Sequence, residues 1–381
     1  MTTYPVIRWI ESDTEQSARW RSEAGTPPPK RVIVADDRIN ADEAYRLACE
    51  GTALLWSGDF NNARQLLQAM ARRADEKPRK EKSKPGTPAE AFHLHRQTQS
   101  QRARTLGMLL LPFNADHGIP LRRAPDVSAA CVEVYGRVHE AYIASLRGLQ
   151  GIIGAYEWRK NGVEIPALGA KIHPHYGVFA PIRGEYVGLV NDAALPELCV
   201  KESLAFDIGT GTGVLAAVLA KRGIQRIIAT DQDARALHCA RENLFQLGYD
   251  NQVEVQPADL FPEGRAALVV CNPPWVPARP SSPLEHAVYD PESRMLRGFL
   301  HGLKEHLLPR GEGWLILSDL AEHLGLRTRA EFLGWIALAG LKVVEKTDVK
   351  PRHPRVSDSS DALHAARAAE LTSLWRLSAS S

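Results

Sequence analysis

Three glycines follow a short apolar run in Ala205-Phe206-Asp207-Ile208-Gly209-Thr210-Gly211-Thr212-Gly213, and a helical pattern opens at Val214. Residues without a Cβ let the backbone turn tightly and come close to a ligand. The helix start behind them presents unpaired N–H groups. Asp231 ends the next apolar run, twenty residues beyond Gly211, where a carboxylate can accept both hydroxyls of a ribose. Gly211 to Ala216 also satisfies the dinucleotide pattern GxGxxA with its acidic partner. The loop alone therefore admits a nicotinamide cofactor, another adenine-containing cofactor, or a glycine-rich turn with no ligand. Two further acids help to separate these. Asp207, two residues before the first glycine, suits a cationic or amine-bearing ligand and would repel a pyrophosphate. Asp259 ends a third run, where it can accept an adenine amino group or cap a turn.

A fourth run, Ala267 to Cys271, ends in Asn272-Pro273-Pro274-Trp275. A strand ending in a turn accounts for the prolines. It leaves the amide and the indole that flank them unexplained. His173 and His175, in His-Pro-His, have no Cys or His cluster around them and read as loop histidines, so no metal is expected. The five cysteines (Cys49, Cys131, Cys199, Cys239, Cys271) are scattered, odd in number and never in a CxxC. That argues against a disulfide framework and a four-thiolate zinc site.

The elements that must carry these residues follow a regular pattern after residue 200. Short apolar runs alternate with amphipathic helices, which implies a parallel sheet of right-handed βαβ units. Seven strand candidates, ending with Leu371 to Ser378, fit a doubly wound α/β domain. Before residue 165 the pattern is different. Apolar spacing predicts two helices between Ala41 and Arg73, broken at Ser57 to Asn62, and one or two more over 128–160. A mostly helical N-terminal domain over 1–165 is therefore expected, with a second domain over 166–381. A basic linker at 72–88 interrupts the first; Arg72 to Lys84 holds seven basic and three acidic residues.

The chain has 381 residues, 44% hydrophobic and 24% charged, with a net charge of +2. No global field points to nucleic acid, so any basic footprint must be local, at 72–84 or 93–104. The first residues lack a basic start followed by an apolar core, and no apolar run approaches the ~18 residues of a membrane span. A reducing cytoplasm and no membrane partner are the expectation.

The acid before GxGxG, the acid ending the second run and the acid ending the third resemble the class I S-adenosylmethionine methyltransferases. The resemblance covers about residues 200–381. It implies a Rossmann-like, seven-stranded sheet with a reversed last strand. It also implies S-adenosylmethionine as cofactor, with Asp207, Gly209, Gly211 and Gly213 around its methionine part, Asp231 at the ribose and Asp259 at the adenine. Within that family, the group with NPPY, NPPF or NPPW after strand 4 methylates planar nitrogen groups, as in nucleobases and glutamine side chains. Asn272, Pro273, Pro274 and Trp275 match that motif. They are then the catalytic residues, with the Asn272 oxygen and the Pro273 carbonyl as acceptors and Trp275 as a stacking face. The segment 173–190 corresponds to a lid in similar enzymes, with Phe179, Pro181 and Glu185 as its candidate contacts.

The resemblance leaves the substrate open. Family members acting on glutamine carry PRPETE and NPPY, where this chain has Ala180 to Val190 and NPPW. An exocyclic amino group of a nucleobase in RNA or DNA is the expected target, with glutamine in a ribosome- or translation-associated protein as the alternative. Two other classes stay in view, a nicotinamide oxidoreductase and a nucleic-acid-binding protein that keeps the fold without catalysis.

Overall fold

Val6–Glu11 (β1) and Thr14–Trp20 (β2) pair antiparallel around Ser12 and Asp13, both at positive φ. That is the backbone twist a two-residue hairpin needs. The chain continues through Arg31–Ala35 (β3), Ala41–Cys49 (α1), Thr52–Trp56 (β4), Phe60–Glu76 (α2), Pro88–Leu106 (α3), Leu109–Phe113 (β5), Ser128–Tyr135 (α4), Tyr142–Ser145 (β6) and Leu146–Asn161 (α5). Asn40 caps α1 by accepting the Glu43 N–H. Six strands form one sheet in the order β1-β2-β6-β5-β4-β3, with β3, β4 and β5 parallel. Its core gathers Leu54 and Trp56 of β4 with Phe60, Leu66, Leu67 and Met70 of α2.

The computed structural model describes residues 4–76, 86–182, 184–280, 285, 287–352 and 361–380. The chain divides into two units, Met1–Pro85 with His93–Glu157 and Gly86–Phe92 with Trp158–Ser381. The expected boundary at residue 165 thus moves to Glu157/Trp158, and a short segment before it also joins the second unit. The mostly helical reading of 1–165 is corrected as well, because this unit is built on a six-stranded sheet. Helices α1 and α2 stand where the spacing put them, but Thr52–Trp56 between them is a fully buried strand. A short run apolar on both faces has no helical or alternating period to reveal it. Part of the basic linker, residues 77–85, lies outside the described residues.

The second unit begins with a hairpin of Val163–Ile165 (β7) and Ala170–Ile172 (β8), then Glu185–Asp192 (α6) and Leu198–Lys201 (α7). The main sheet follows as Leu204–Ile208 (β9), Val214–Lys221 (α8), Arg226–Asp231 (β10), Ala234–Gln246 (α9), Val253–Pro257 (β11) and Ala266–Cys271 (β12). It is completed by Arg294–His306 (α10), Leu307–Ser318 (β13), Leu320–His323 (α11), Arg329–Leu338 (α12), Leu341–Val349 (β14), His364–Ala369 (α13) and Thr372–Ala379 (β15). The seven strands lie in the order β11-β10-β9-β12-β13-β15-β14, and β15 runs antiparallel to both its neighbours. The doubly wound sheet with a reversed last strand is therefore present.

Each face of the sheet has its own core. Side chains of α6, α8 and α9 pack with Trp314 and Ile316 on one face; α10 and α12 pack with Phe206, Leu315 and Leu317 on the other. Because both faces are covered, β12 reads Ala-Ala-Leu-Val-Val-Cys with every residue buried. Among the described residues no helix is long and apolar enough to cross a membrane. Trp314 is fully buried, so Trp314→Ala should cost about 3–5 kcal/mol of stability, read from the urea unfolding of the second unit.

Candidate active site

Parallel pairing brings the chemistry-bearing residues to one edge. Strand β9 lies between β10 and β12, with Asp207 opposite Ala229 on one side and Val270 on the other. All three strands leave the sheet at the same end. Asp207 and the glycine loop, Asp231, and Asn272 therefore sit on three adjacent carboxyl ends, where ligands of such sheets bind.

The glycine loop shows why its residues lack side chains. Gly209, Gly211 and Gly213 have φ of 70°, 55° and 81°, in the left-handed region. At Gly213 a Cβ would stand 3.3 Å from the Ala240 Cα, so α9 packs directly on the loop. At Gly211 a Cβ would meet no atom within 4 Å, which leaves the loop face open.

Asp207 is fully buried. Its Oδ2 accepts from the Thr210 hydroxyl at 2.6 Å and the Ala216 N–H at 3.1 Å. Its Oδ1 has no partner. Burial pushes the carboxyl up to about 6, against those two hydrogen bonds. Asp231 accepts the Gly211 N–H at 3.0 Å on Oδ2 and the Asp233 N–H at 3.0 Å on Oδ1. Burial raises its pKa too. The Asp231 carboxylate adds to the rise of Asp207, as expected where two acids share one strand edge.

Asn272 leaves β12 with its carboxamide oxygen held. The Trp275 indole N–H donates to Oδ1 at 2.9 Å. Tyr186, buried on α6, has its hydroxyl close to the Asn272 side chain, which offsets part of the rise in pKa that burial gives it. Trp275 is half-buried against apolar side chains on both faces of the sheet. Its ring is thus part of the packing, and its polar edge orients Asn272. Asp290 steadies the chain beyond the motif, accepting the Met295 and Leu296 N–H groups at the start of α10.

The other sequence-derived positions scatter more widely. Asp259 lies past β11 in an ion pair with Arg294 at 2.7 Å, both side chains mostly exposed. Pro181 is buried and Phe179 packs against the α8-side core. Glu185 starts α6, and its carboxylate accepts the Arg352 N–H at 2.7 Å. His175 donates to or accepts from Glu242 at 2.8 Å, and the same carboxylate pairs with Arg159 and His238. This cluster ties the 173–190 segment to α9.

Sequence reasoning missed Tyr186 and Asn243. Buried Asn243 accepts the His173 N–H at 2.8 Å and donates to the Thr212 carbonyl at 3.0 Å, joining that segment to the glycine loop. A signal existed, since Asn243 falls on the apolar stripe of α9 with Ala236, Cys239 and Ala240. Tyr186 gave none, because an aromatic on an amphipathic helix reads as core.

Residues 171–324 match the family described as methyltransferase small domain. This match lies within the second unit. The chain is 34% identical over 185 residues to a release factor glutamine methyltransferase of Cereibacter sphaeroides, covering 45% of this chain and 63% of that one. It is 33% identical over 81 residues to a tRNA1(Val) (adenine(37)-N6)-methyltransferase of Vibrio campbellii, covering 20% and 34%. A ribosomal protein L11 methyltransferase of Symbiobacterium thermophilum is 37% identical over 78 residues, covering 20% and 26%. The chain thus spans less than two thirds of the length of each of these relatives.

S-adenosylmethionine is the cofactor this domain implies, and the residues fit it. An orphaned carboxylate oxygen on Asp207 and an acid-lined strand edge suit a ligand bearing a sulfonium and an ammonium. They would repel the pyrophosphate of a nicotinamide dinucleotide. The glycine loop and Asp207 would hold the methionine part and Asp231 the ribose.

Two measurements test this arrangement. Asp231→Ala should weaken binding of S-adenosylhomocysteine ~10-fold or more in calorimetry, since it removes a charged acceptor. A carboxyl whose folded pKa exceeds its unfolded value adds stability that is complete below the unfolded value and lost as pH rises through the folded one. For Asp207 that window runs from about 4 to about 6. Asp207→Asn should therefore flatten the decline in melting temperature of the ligand-free protein across that window.

Proposed function

We propose that this protein transfers the methyl group of S-adenosylmethionine to a planar exocyclic amino nitrogen, and that this nitrogen belongs to a nucleobase in RNA or DNA. The reading rests on the Asn272 carboxamide at the end of β12, beside the acid-lined strand edge, with its oxygen held by the Trp275 indole N–H. Bound S-adenosylmethionine supplies an electrophilic methyl group. An amino group conjugated to a ring is a poor nucleophile, because its lone pair is delocalised, so it must be held and aimed.

Asn272 Oδ1 has two lone pairs, and the indole N–H uses one. The other can accept one N–H of the amino group, and the Pro273 carbonyl can accept the second. Proline fixes its own φ, so the two acceptors keep their spacing. Both bonds strengthen as positive charge develops on the nitrogen, which favours the transition state over the bound substrate. The cation formed is acidic enough to release its proton to water, so no general base is required.

A protein glutamine side chain is the second reading. It is favoured by the relative that matches over the greatest length of those compared, a release factor glutamine methyltransferase. Incubating the protein with methyl-labelled S-adenosylmethionine and lysate fractions separates the two. Label lost to nuclease and kept after protease supports the nucleobase; the reverse supports glutamine; no label in any fraction supports a binding protein without catalysis. Asn272→Ala should lower the methylation rate ~100-fold or more while cofactor affinity stays within a few-fold. Loss of both to the same degree would move Asn272 into the cofactor site.

A further inference from the structure

The first unit contains a cationic cleft that the sequence did not single out. Its lining is Asn61, Arg64, Gln65 and Gln68, on the exposed face of α2, and Arg123 from the loop before α4, around a cavity of about 320 Å³. No carboxylate lines it. Arg64 has no ion-pair partner among the described residues.

Arg123 is held in place from below. Asp59, just ahead of α2, is fully buried, and its Oδ2 accepts from Arg123 Nε at 2.6 Å and from Arg122 Nε at 3.0 Å. Its other oxygen accepts the Asn61 N–H at 2.9 Å, and its own N–H donates to Asp37, which also holds Asn62. The Asp37 carboxylate also acts on Arg123, so two acids face these two arginines; both arginine side chains nevertheless remain more than half exposed, at 74% and 57%. Arg123 also has a φ of 58°, an uncommon conformation for a residue with a side chain. Backbone strain and a buried acid are thus both spent on fixing exposed arginines, where the free ends of the guanidinium are the donors left for a ligand.

Two arginines of the stretches expected to supply cations are paired, Arg73 with Asp42 and Arg102 with Asp75 at 2.8 Å. Residues 77–85 of those stretches lie outside the described residues.

We propose that this cleft binds the phosphodiester backbone of single-stranded RNA, with Arg64 and Arg123 on phosphate and Asn61, Gln65 and Gln68 on phosphate or sugar oxygens. Planar guanidinium groups match a phosphate with paired N–H donors, and amide side chains can donate to the same strand. The choice of RNA among polyanions rests on the nucleobase reading above; the anion site itself does not.

The test is anisotropy with the full chain, without cofactor, and a fluorescein-labelled mixed-sequence RNA of about 20 nucleotides, titrated from ~50 to ~300 mM KCl. Arg64→Ala should weaken binding ~3- to 10-fold at ~100 mM salt and reduce the slope of log affinity on log salt by about 0.7. Arg64→Glu with Gln68→Glu should abolish measurable binding, with an unchanged melting temperature showing that the fold is intact. Wild-type affinity in both variants would overturn the proposal. So would competition by polyglutamate equal to that by unlabelled RNA, which would point to an acidic protein partner. Asn272→Ala should bind the RNA like wild type, so a failure of methyl transfer and a failure of this cleft give different results.

Discussion

The candidate active site depends on the hydrogen-bond register of β9 with its two parallel neighbours. Asp207 pairs across from Ala229 and Val270, and this places the ends of β10, β9 and β12 side by side. A slip of one residue would turn every side chain on β9 to the opposite face. Register is well specified here because β9 and β12 are buried on both sides. The acid at position 207 is the exception within that apolar frame. It is tolerated because Thr210 and the start of α8 satisfy one of its oxygens, while the other is left for a ligand.

Around that register, a few buried polar groups tie separate segments into one site. Asn243 joins the glycine loop to the 173–190 segment, and the Glu242 cluster fastens the same segment a turn away. The Trp275 indole fixes the oxygen end of the Asn272 amide. Each link uses groups that would be costly to bury alone, so each resists rearrangement. Preorganisation of this kind matters for a delocalised amino nitrogen, since positioning is most of what the protein can contribute.

The N-terminal unit illustrates the limits of reading by period. Its α2 was visible in the spacing of Leu66, Leu67 and Met70, although it begins at Phe60, inside the expected break. Thr52–Trp56 and Tyr142–Ser145 were absorbed into helical patterns because they are short and apolar, and Leu109–Phe113 was not singled out. Likewise, counting charges along the chain pointed to 72–84 and 93–104, where Arg73 and Arg102 are paired with acids. It did not single out Arg64 on α2 or the Asp59-held Arg123.

In the second unit the sequence by itself determined much. The glycine loop needs left-handed backbone that only residues without a Cβ adopt cheaply, and strand ends follow from where apolar runs stop. Asp207, Asp231 and Asn272 could therefore be placed at strand ends from local pattern, and the reversed last strand came with the family resemblance. Only the tertiary structure decided what those groups touch. Trp275 became a donor to Asn272, Asp259 an exposed ion pair with Arg294, and His175 a partner of Glu242. The physical reason is that backbone conformation is set largely by near neighbours in the chain. Hydrogen-bond partners are set by packing between elements far apart in sequence, and no local spacing encodes that choice.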